Sequence, residues 1–319
     1  MKTALITGVT GQDGSYLGKL LLEKGYKVYG AVRDWSSPGR KNLSFLKIET
    51  ELEIVSINLR DLSNVIWLLN RLQPHEIYNL ASQSSVGLSF ELPIATVECN
   101  VISTLNLLEA IRILSLGTKF YQASSSEMYG SVKTLPVTEE TAIHPVSPYG
   151  ISKASAHWVT VNYREAYGLF SCCGILFNHE SVLRGERFVT KKILSSALKI
   201  SRGTGEKLKL GNTEIKRDWG YAPEYVKVMW SMLQQNEPED FVIATGEPHS
   251  IAEFATLVFE QVGLNWHDHV VIDKDLYRPS DLHVIYGDPS KARLKLGWDY
   301  RLSFQDLIQL LVEQERQWS

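Results

Sequence analysis

Cysteine is scarce in this sequence, which has three in 319 residues. Cys172 and Cys173 are adjacent and Cys99 lies far from them, so the spacing suits neither a disulfide framework nor a metal site. We therefore predict that the protein holds no metal and that its cysteines are buried free thiols. Such thiols are typical of proteins in the reducing cytoplasm, which is the location we expect.

Strong net charge and long apolar runs are also missing. The formal net charge of -3 gives no electrostatic reason to expect nucleic acid or a membrane surface as a partner. No apolar run approaches the roughly 18 residues that cross a bilayer. The chain starts with a strand pattern and a turn, without the apolar stretch and cleavage site of a signal peptide. These features predict a soluble protein of one large domain or two modest ones.

A glycine-rich turn is the first positive signal. Residues 2–7 have a strand pattern, and Gly-x-x-Gly-x-x-Gly follows directly, before an amphipathic helix that runs to Leu22. Such a turn lets backbone N–H groups approach a pyrophosphate, which then lies at the helix N-terminus. We predict a dinucleotide cofactor here, with an ordinary tight turn as the alternative. The predicted contacts in this turn are Gly8, Thr10, Gly11, Gln12, Asp13 and Gly14.

Two further segments bear on the cofactor. The second strand pattern, Lys27 to Val32, is followed by Arg33 and Asp34. An arginine here suits the 2′-phosphate of NADP, whereas an acid suits the ribose hydroxyls of NAD. Because Arg33 is the first polar residue beyond the apolar run, we predict NADP, with NAD as the alternative. Asp61 and Leu62 lie where contacts to adenine are expected, although Asp61 also suits a helix N-cap.

Strand and helix patterns alternate along the first half of the chain. Further predicted strands are Leu52 to Ile57, Glu76 to Leu80, Thr118 to Ser124 and Phe170 to Leu176, and the helices between them are Leu62 to Leu72, Pro93 to Leu116 and Tyr149 to about Tyr167. This alternation predicts an α/β fold with a doubly wound parallel sheet. Beyond residue 176 the alternation loosens. We predict a dinucleotide-binding domain over residues 1–176 and a smaller α+β substrate lobe over 177–319, interleaved with the sheet domain.

A cluster of reactive side chains follows the strand that ends at Ser124. Tyr149 and Lys153 are four residues apart and therefore share one face of a helix. A lysine ammonium and a cationic nicotinamide lower the pKa of a nearby tyrosine, which can then take a proton from a hydroxyl as hydride leaves the same carbon. Ser125 can hydrogen-bond to that hydroxyl. A solvent-facing pair is the alternative, since Tyr-x-x-x-Lys is common by chance.

Glu127 decides which reaction is predicted. Oxidation of an alcohol, or epimerisation through a ketone, needs only the tyrosine, the lysine and a hydroxyl. A carboxylate beside them can remove the proton α to the new ketone and help a β-hydroxyl to leave as water. Return of the hydride then completes a dehydration without net redox change. A surface or structural carboxylate is the alternative for Glu127.

Cationic and amide side chains in the C-terminal part can bind an anionic substrate. Arg217 and Arg278 are candidates because a guanidinium group binds phosphate in a bidentate manner. Asn178, Arg184 and Lys192 can add contacts. Each residue alone is more often a surface residue, but their grouping predicts a clamp for a nucleotide diphosphate.

Longer stretches resemble a known family. They are Ile6 to Leu17, Tyr121 to Glu127, Ser147 to Tyr149, Val161 to Glu165, Gly174 to Ser181, Arg217 to Gly220 and Gly287 to Ala292. Over nearly its full length the chain resembles the extended short-chain dehydrogenase/reductases, and within them it is similar to the GDP-mannose 4,6-dehydratase family. The resemblance implies a Rossmann fold and a homodimer or homotetramer.

The resemblance also implies the chemistry. The substrate would be a GDP-hexose, most simply GDP-D-mannose, and a bound NADP would be reduced and re-oxidised in each turnover. Tyr149 would be the base for oxidation at C4, assisted by Lys153 and Ser125. Glu127 would remove the C5 proton and protonate the departing C6 hydroxyl. The implied nucleotide-sugar contacts are Ser84, Ser85, Asn178, Lys192, Arg217 and Arg278.

Several positions depart from the family pattern. The family usually has threonine at Ser125, two arginines at Arg33-Asp34 and a histidine at Ser85, and the segment near residues 265–277 is short here. GDP-manno-heptose is therefore an alternative substrate. A GDP-4-keto-6-deoxy-sugar reductase or epimerase of the same fold, and a non-catalytic protein that senses a dinucleotide, are the alternative functions.

Overall fold

The computed structural model describes residues 1–33, 40–280 and 282–318. Its strands are β1 Thr3–Thr7, β2 Lys27–Val32, β3 Glu53–Ser56, β4 Glu76–Asn79, β5 Lys119–Ser125, β6 Ser171–Leu176, β7 Asn178–Glu180, β8 Leu208–Leu210, β9 Lys216–Tyr221, β10 Phe241–Ile243, β11 Pro248–Ser250, β12 Val270–Ile272 and β13 Val284–Ile285. Its helices are α1 Gln12–Glu23, α2 Arg40–Phe45, α3 Leu62–Leu72, α4 Val86–Glu91, α5 Pro93–Val97, α6 Ser103–Ile113, α7 Pro148–Tyr167, α8 Val189–Ser201, α9 Ala222–Gln234, α10 Ile251–Glu260, α11 Trp266–His269, α12 Ser290–Leu296 and α13 Phe304–Trp318. A π-helical turn, Glu98–Ile102, joins α5 to α6, and 3-10 turns lie at Ser126–Met128 and Lys274–Leu276.

Seven parallel strands form the main sheet, in the order β10-β6-β5-β4-β1-β2-β3. The chain order reverses between β1 and β4, which pair in parallel from Ala4 opposite Glu76. Open α/β sheets bind ligands outside the carboxyl ends of the strands at such a reversal. The predicted doubly wound parallel sheet is confirmed.

Successive residues of the central strands face two separate apolar layers. On one face, Ala4 and Ile6 pack with side chains of α1 and α9, including Leu17 and Met229. On the other face, Leu5 packs with side chains of α3 and α6. Because strand residues point alternately to opposite faces, helices cover the sheet on both sides.

The chain returns to the main sheet after it has entered the second lobe. The helix α9 packs against α1, and β10 pairs in parallel with β6, from Phe241 opposite Gly174. Asp240, just before β10, binds Arg164 of α7 and accepts a hydrogen bond from the Cys173 N–H of β6 at 2.7 Å. Residues on both sides of position 176 therefore build the sheet.

The second lobe rests on short strands. Its central strand β9 pairs antiparallel with β11 and parallel with β7 and β13, while β8 pairs separately with β12. The helices α8, α10 and α13 enclose a core that includes Leu194, Phe254 and Leu311. A buried ion pair, with Lys191 Nζ 2.5 Å from Glu315 Oε2, fastens α8 to α13. The lobe is thus held by contacts between residues that are distant in sequence.

The helix that runs through the π turn has an unusual composition. By length and composition the stretch Pro93–Ile113 could cross a membrane, which corrects the expectation that no apolar stretch reaches that length. A core helix of a soluble protein meets the same criterion. This stretch packs against α3 and α7, while Ile94, Val97 and Ile102 are exposed. It therefore joins the core on one side and presents an apolar surface on the other.

Candidate active site

A cleft of about 390 Å³ lies between the carboxyl ends of β5 and β6 and the second lobe. The structure brings together all the residues predicted as catalytic or substrate-binding. They line this cleft: Ser84, Ser85, Ser125, Glu127, Tyr149, Lys153, Asn178, Arg184, Lys192, Arg217 and Arg278. Of the predicted cofactor contacts in the glycine turn, Asp13 lines the same cleft.

Tyr149 and Lys153 occupy the first two turns of α7. The Ser147 hydroxyl caps this helix by accepting a hydrogen bond from the Gly150 N–H at 3.0 Å. Both side chains are buried, with 8% of Tyr149 and 5% of Lys153 exposed, so the alternative of a solvent-facing pair is wrong. Lys153 Nζ donates a hydrogen bond to the Ala123 carbonyl oxygen at 2.8 Å, which fastens the helix to the end of β5.

The environment of this pair changes both pKa values. Burial raises the pKa of Tyr149 to about 12, although a hydrogen bond with Ser125 opposes this. Burial lowers the pKa of Lys153 to about 8. The sequence predicted a lowered tyrosine pKa, and the residues of the protein alone produce the opposite direction. Burial therefore outweighs the effect of the nearby lysine in the protein by itself.

Glu127 is held beside Tyr149 and Lys153 by a tight turn. Ser125 ends β5, and its hydroxyl accepts a hydrogen bond from the Glu127 N–H at 3.3 Å. The start of α7 packs against this turn so closely that a Cβ on Gly150 would lie 2.6 Å from the Glu127 carbonyl oxygen. Glu127 Oε1 is 3.9 Å from Arg217 Nε, and the carboxylate is 16% exposed. The carboxylate thus lies inside the cleft, against the alternative of a surface residue.

The glycine turn, residues 8–14, forms a depression lined by backbone atoms, which we call the glycine cradle. Gly8 has a φ of +71°, and a Cβ there would lie 2.9 Å from the Ala81 backbone. A Cβ on Gly14 would lie 2.3 Å from the Gly8 carbonyl oxygen. The turn therefore needs glycine at both positions, and it leaves Thr10 and Gly11 at the N-terminus of α1, where backbone N–H groups favour an anion.

Three of the predicted cofactor residues have other partners in the protein. The Gln12 amide donates to the His179 carbonyl oxygen at 3.0 Å, and Asp13 Oδ2 lies 2.9 Å from His179 Nε2, so both side chains reach the second lobe. Asp61 caps α3 by accepting hydrogen bonds from the Ser63 N–H at 2.9 Å and the Asn64 N–H at 3.2 Å. This agrees with the alternative prediction that Asp61 is a helix N-cap.

Two other cofactor predictions concern positions at element boundaries. Arg33 is exposed directly after β2, and Leu62 is the first residue of α3. Asp34, on which the choice between NADP and NAD also depends, lies outside the described residues. The preference for NADP stays a prediction.

Cations of the second lobe converge on the cleft. Arg217 is 5% exposed, and its Nη1 donates to the Leu282 carbonyl oxygen at 2.7 Å. Lys192 Nζ donates to the Lys209 carbonyl oxygen at 3.0 Å. The Arg184 guanidinium stacks at 3.7 Å from the centre of the neighbouring Phe188 ring and its Nε lies 3.3 Å from Glu180 Oε2. The Leu282 and Lys209 carbonyls and the Phe188 ring thus hold these cationic side chains where they can bind an anionic ligand.

Asn100 supports the cleft from behind its lining, and the sequence patterns do not indicate it. It lies in the π turn, and its Oδ1 accepts from the Ser82 hydroxyl at 3.0 Å and the Gln83 N–H at 2.9 Å. Its Nδ2 donates to the Ser152 hydroxyl of α7 at 2.8 Å. Asn100 therefore joins α7 to the turn that carries Ser84. A π turn is frequent at functional sites but has no simple sequence signal.

One group of described side chains could hold a metal ion by distance alone. Ligand atoms of His157, Cys173 and Asp240 lie within 4.8 Å of one another. Arg164 already binds both Asp240 oxygens, at 2.8 and 2.7 Å. Burial raises the pKa of the Cys173 thiol, which disfavours the thiolate that a metal needs. Since His157 Nδ1 also lies 3.1 Å from the Ser124 hydroxyl, we interpret the group as a network that fastens α7 to β5 and β6.

Known structures share this fold over its whole length. UDP-glucose 4-epimerase from Thermotoga maritima, crystallised with UDP-glucose, superimposes with a TM-score of 0.88 at 26% identity and covers 99% of both chains. A dTDP-glucose 4,6-dehydratase from Streptomyces venezuelae has a TM-score of 0.87 at 23% identity and covers 99% of this chain and 97% of its own. The fold is that of the extended short-chain dehydrogenase/reductases.

Sequence relatives narrow this class to one family. A family model described as GDP-mannose 4,6 dehydratase matches residues 5–311. GDP-mannose 4,6 dehydratase 1 from Arabidopsis thaliana is 47% identical, covering 98% of this chain and 90% of the relative. The human GDP-mannose 4,6 dehydratase is 45% identical, covering 97% and 90%. The chain belongs to the GDP-mannose 4,6-dehydratase family, and the prediction of a sugar-nucleotide 4,6-dehydratase is confirmed.

Proposed function

We propose that the protein converts GDP-D-mannose to GDP-4-keto-6-deoxymannose and uses a bound NADP as an internal redox carrier. The observation that carries the proposal is the position of Glu127, held by Ser125 and facing Arg217 in the cleft that Tyr149 lines. The close relatives that bear the name of this reaction support it.

The residues of the cleft divide the chemistry between them. Tyr149, as phenolate, takes the proton of the C4 hydroxyl, and Ser125 hydrogen-bonds to the same oxygen. Glu127 then removes the C5 proton, made acidic by the C4 ketone, and delivers a proton to the C6 hydroxyl, which leaves as water. When bound, NADP supplies the hydride acceptor for C4 and the hydride donor for C6. The proton from C5 thus ends in the water and the hydride from C4 ends on C6, while C5 regains one proton, which balances the proton that Tyr149 took from the C4 hydroxyl.

The glycine turn and its surroundings fit such a cofactor. The cradle formed by Gly8 and Gly14 leaves no room for a Cβ, so only backbone approaches a ligand there. Lys153 Nζ lies 5.8 Å from the centre of the Tyr149 ring, close enough for its charge to stabilise a phenolate. Arg33 at the end of β2 supports the choice of NADP over NAD. Denaturing the purified protein and identifying the released dinucleotide tests this choice, and NAD alone would contradict it.

The variant Glu127→Gln tests the proposed reaction. The amide cannot move a proton, so formation of the 4-keto-6-deoxy product from GDP-mannose, without added cofactor, should fall by on the order of 10². Oxidation at C4 should survive and appear as the absorbance of reduced nicotinamide. The exposed Glu140→Gln is the matched control and should keep full turnover.

Other outcomes of this experiment separate the alternatives. Unchanged product formation by Glu127→Gln would remove Glu127 from its role. A wild-type protein that needs added NADPH and a keto-sugar would be a reductase. Faster turnover of GDP-manno-heptose than of GDP-mannose would reassign the substrate.

We also propose that the protein is a homo-oligomer, a dimer or tetramer, in the cytoplasm. On α7, Ile151 and Trp158 are seven residues apart and so share a helix face, and they are 49% and 57% exposed. Ile94 on the adjacent α5 is 75% exposed. A second copy would cover this apolar surface. Sedimentation should show an oligomer that Trp158→Asp dissociates, and a monomeric wild type would contradict the proposal. Cys172 and Cys173 are buried free thiols, as predicted, whereas Cys99 is only partly buried, which corrects the prediction for that residue. Free thiols support the cytoplasmic location, which fractionation of the source cells would test.

A further inference from the structure

A buried histidine–carboxylate pair joins the two lobes beside the cleft. His179, in β7, is 7% exposed. Its Nδ1 lies 2.7 Å from the Phe177 carbonyl oxygen, and its Nε2 lies 2.9 Å from Asp13 Oδ2 in the first turn of α1. A carbonyl oxygen can only accept, and an ionised carboxylate can only accept. Both ring nitrogens therefore carry hydrogen, and the pair is an imidazolium with a carboxylate.

The charges around the ring agree with this protonation state. Burial opposes a charged ring, but Asp13 outweighs it, so that the pKa of His179 is raised above its usual value. Although burial acts against ionisation of Asp13 as well, His179 lowers the pKa of that carboxyl to about 2. Arg184, in the loop after β7, is the cation that opposes the imidazolium. From α9, the Tyr225 ring stacks on the imidazole with centres 4.6 Å apart.

The contact between His179 and Asp13 is one of three hydrogen bonds that join residues 12–13, at the start of α1, to residues 179–181. Gln12 donates to the His179 carbonyl oxygen at 3.0 Å and accepts from the Ser181 hydroxyl at 2.9 Å. Gln12 and Asp13 belong to the glycine cradle, and Asn178 directly precedes His179 and lines the cleft. The junction therefore ties β7, which carries Asn178 and also pairs with β9, to the glycine cradle.

We propose that His179 is a positioning residue whose imidazolium, through Asp13, holds the substrate-binding strand β7 in register with the cofactor cradle. The inference rests on the proposed function, because it assigns Asn178 to the nucleotide sugar. Loss of the imidazolium should loosen the substrate side of the cleft and leave Tyr149, Lys153 and Glu127 in place, since none of these three is hydrogen-bonded to the pair in the described part of the chain.

The expected pH dependence has a definite sign. Because folding raises the pKa of His179, the contribution of the pair is complete below the ordinary histidine pKa and is lost as the pH rises through the raised value. The Asp13 carboxyl titrates near pH 2, far below assay conditions. The KM for GDP-mannose should therefore rise on the alkaline side, with a smaller change in kcat.

The experiment compares His179→Gln, Asp13→Asn and the double variant with the wild type. In His179→Gln, KM should rise by about tenfold, which corresponds to about 1.4 kcal/mol, lose its alkaline rise, and leave kcat within about threefold. The double variant should be no worse than Asp13→Asn, because the two residues act as one unit. His249→Gln is the matched control, since His249 pairs with Glu253 at 3.3 Å in the same lobe and lines a different groove. It should keep the wild-type KM profile.

A binding measurement on the wild type needs neither a variant nor turnover. Calorimetric titration with GDP should show affinity that falls as the pH rises, in step with the deprotonation of His179 followed by NMR of the imidazole. A GDP affinity independent of that deprotonation, or an alkaline rise of KM that persists in His179→Gln, would overturn the inference. Absence of turnover by the wild type with GDP-mannose would contradict the proposed function instead, and the GDP titration would still decide the role of His179.

Discussion

The two halves of the active site are assembled by different means. Tyr149 and Lys153 lie on one long helix that begins at the Ser147 cap, so local structure sets their spacing and direction. Arg217 lies on the short strand β9, and its guanidinium is oriented by the carbonyl of Leu282, which is distant in sequence. The redox half, which we define as Tyr149 and Lys153 by their proposed role, should therefore withstand changes elsewhere. The substrate half, defined as the proposed substrate-binding residues of the second lobe such as Arg217, should respond to any loosening of that lobe. Four substitutions test this contrast.

The largest effect is expected from Tyr149→Phe, in the redox half. Loss of the base should lower kcat by about 10³, while KM changes little because the substrate clamp is untouched. Steady-state kinetics with GDP-mannose measure both quantities. The matched control is Tyr129→Phe, since Tyr129 is also buried and its hydroxyl donates to the Thr138 carbonyl oxygen at 2.8 Å. Similar losses of kcat in both variants would contradict the assigned role.

The next largest effect is expected from Lys191→Met, in the core of the second lobe. The change removes the cation that lies 2.5 Å from the buried Glu315 carboxylate, which should lower the free energy of unfolding by about 3 kcal/mol. Denaturant titration measures this loss. Lys227→Met, which breaks the exposed pair with Glu224, should cost less than about 1 kcal/mol. If both changes cost the same, the lobe does not depend on its buried ion pair.

A smaller effect is expected from Arg217→Lys in the substrate half. Lysine keeps the charge but lacks the planar guanidinium fork, whose separate N–H groups can bind the Leu282 carbonyl and a phosphate in a fixed geometry, so KM should rise about 30-fold with little change in kcat. Arg293→Lys, at an exposed position of α12, should leave both constants unchanged. A fall in kcat with constant KM would instead place Arg217 in the chemical step, beside Glu127.

The smallest effect is expected from Asp61→Ala. As an N-cap, Asp61 should contribute about 1 kcal/mol to stability, and Asp61→Asn should keep most of it because asparagine caps equally well. If Asp61 also binds adenine, both variants should lose NADP during desalting. Counting the dinucleotide retained per chain, beside thermal denaturation, separates the two roles.

Local signals explain how much could be predicted. The helix Leu62–Leu72 and the strand Lys27–Val32 are observed with their predicted bounds, because period and capping residues mark both. The helix α13 carries such a signal too, in Leu307, Ile308 and Leu311, and could have been found in the same way. The cleft residues were predicted from motifs, yet the contacts that orient them were not.

What sequence patterns could not supply are partners that are far apart in the chain. Nothing near Asp13 indicates that His179 will face it, and the π turn at Asn100 has no propensity signal. The raised pKa of Tyr149 is a third example, because it follows from burial and not from the neighbouring residue types. Such features depend on the finished packing of the two lobes.

The strand β10 is synthesised well after β6, the strand with which it pairs, and this order has a consequence for the nascent protein. On the ribosome, β6 is complete at Leu176, but the strand that covers its outer edge ends only at Ile243. Until then, the outer edge of β6 should be unpaired in the nascent chain, and an unpaired strand edge is a template for pairing with other chains. A stalled or truncated product that ends between these two positions should be prone to aggregation and a natural client for chaperones.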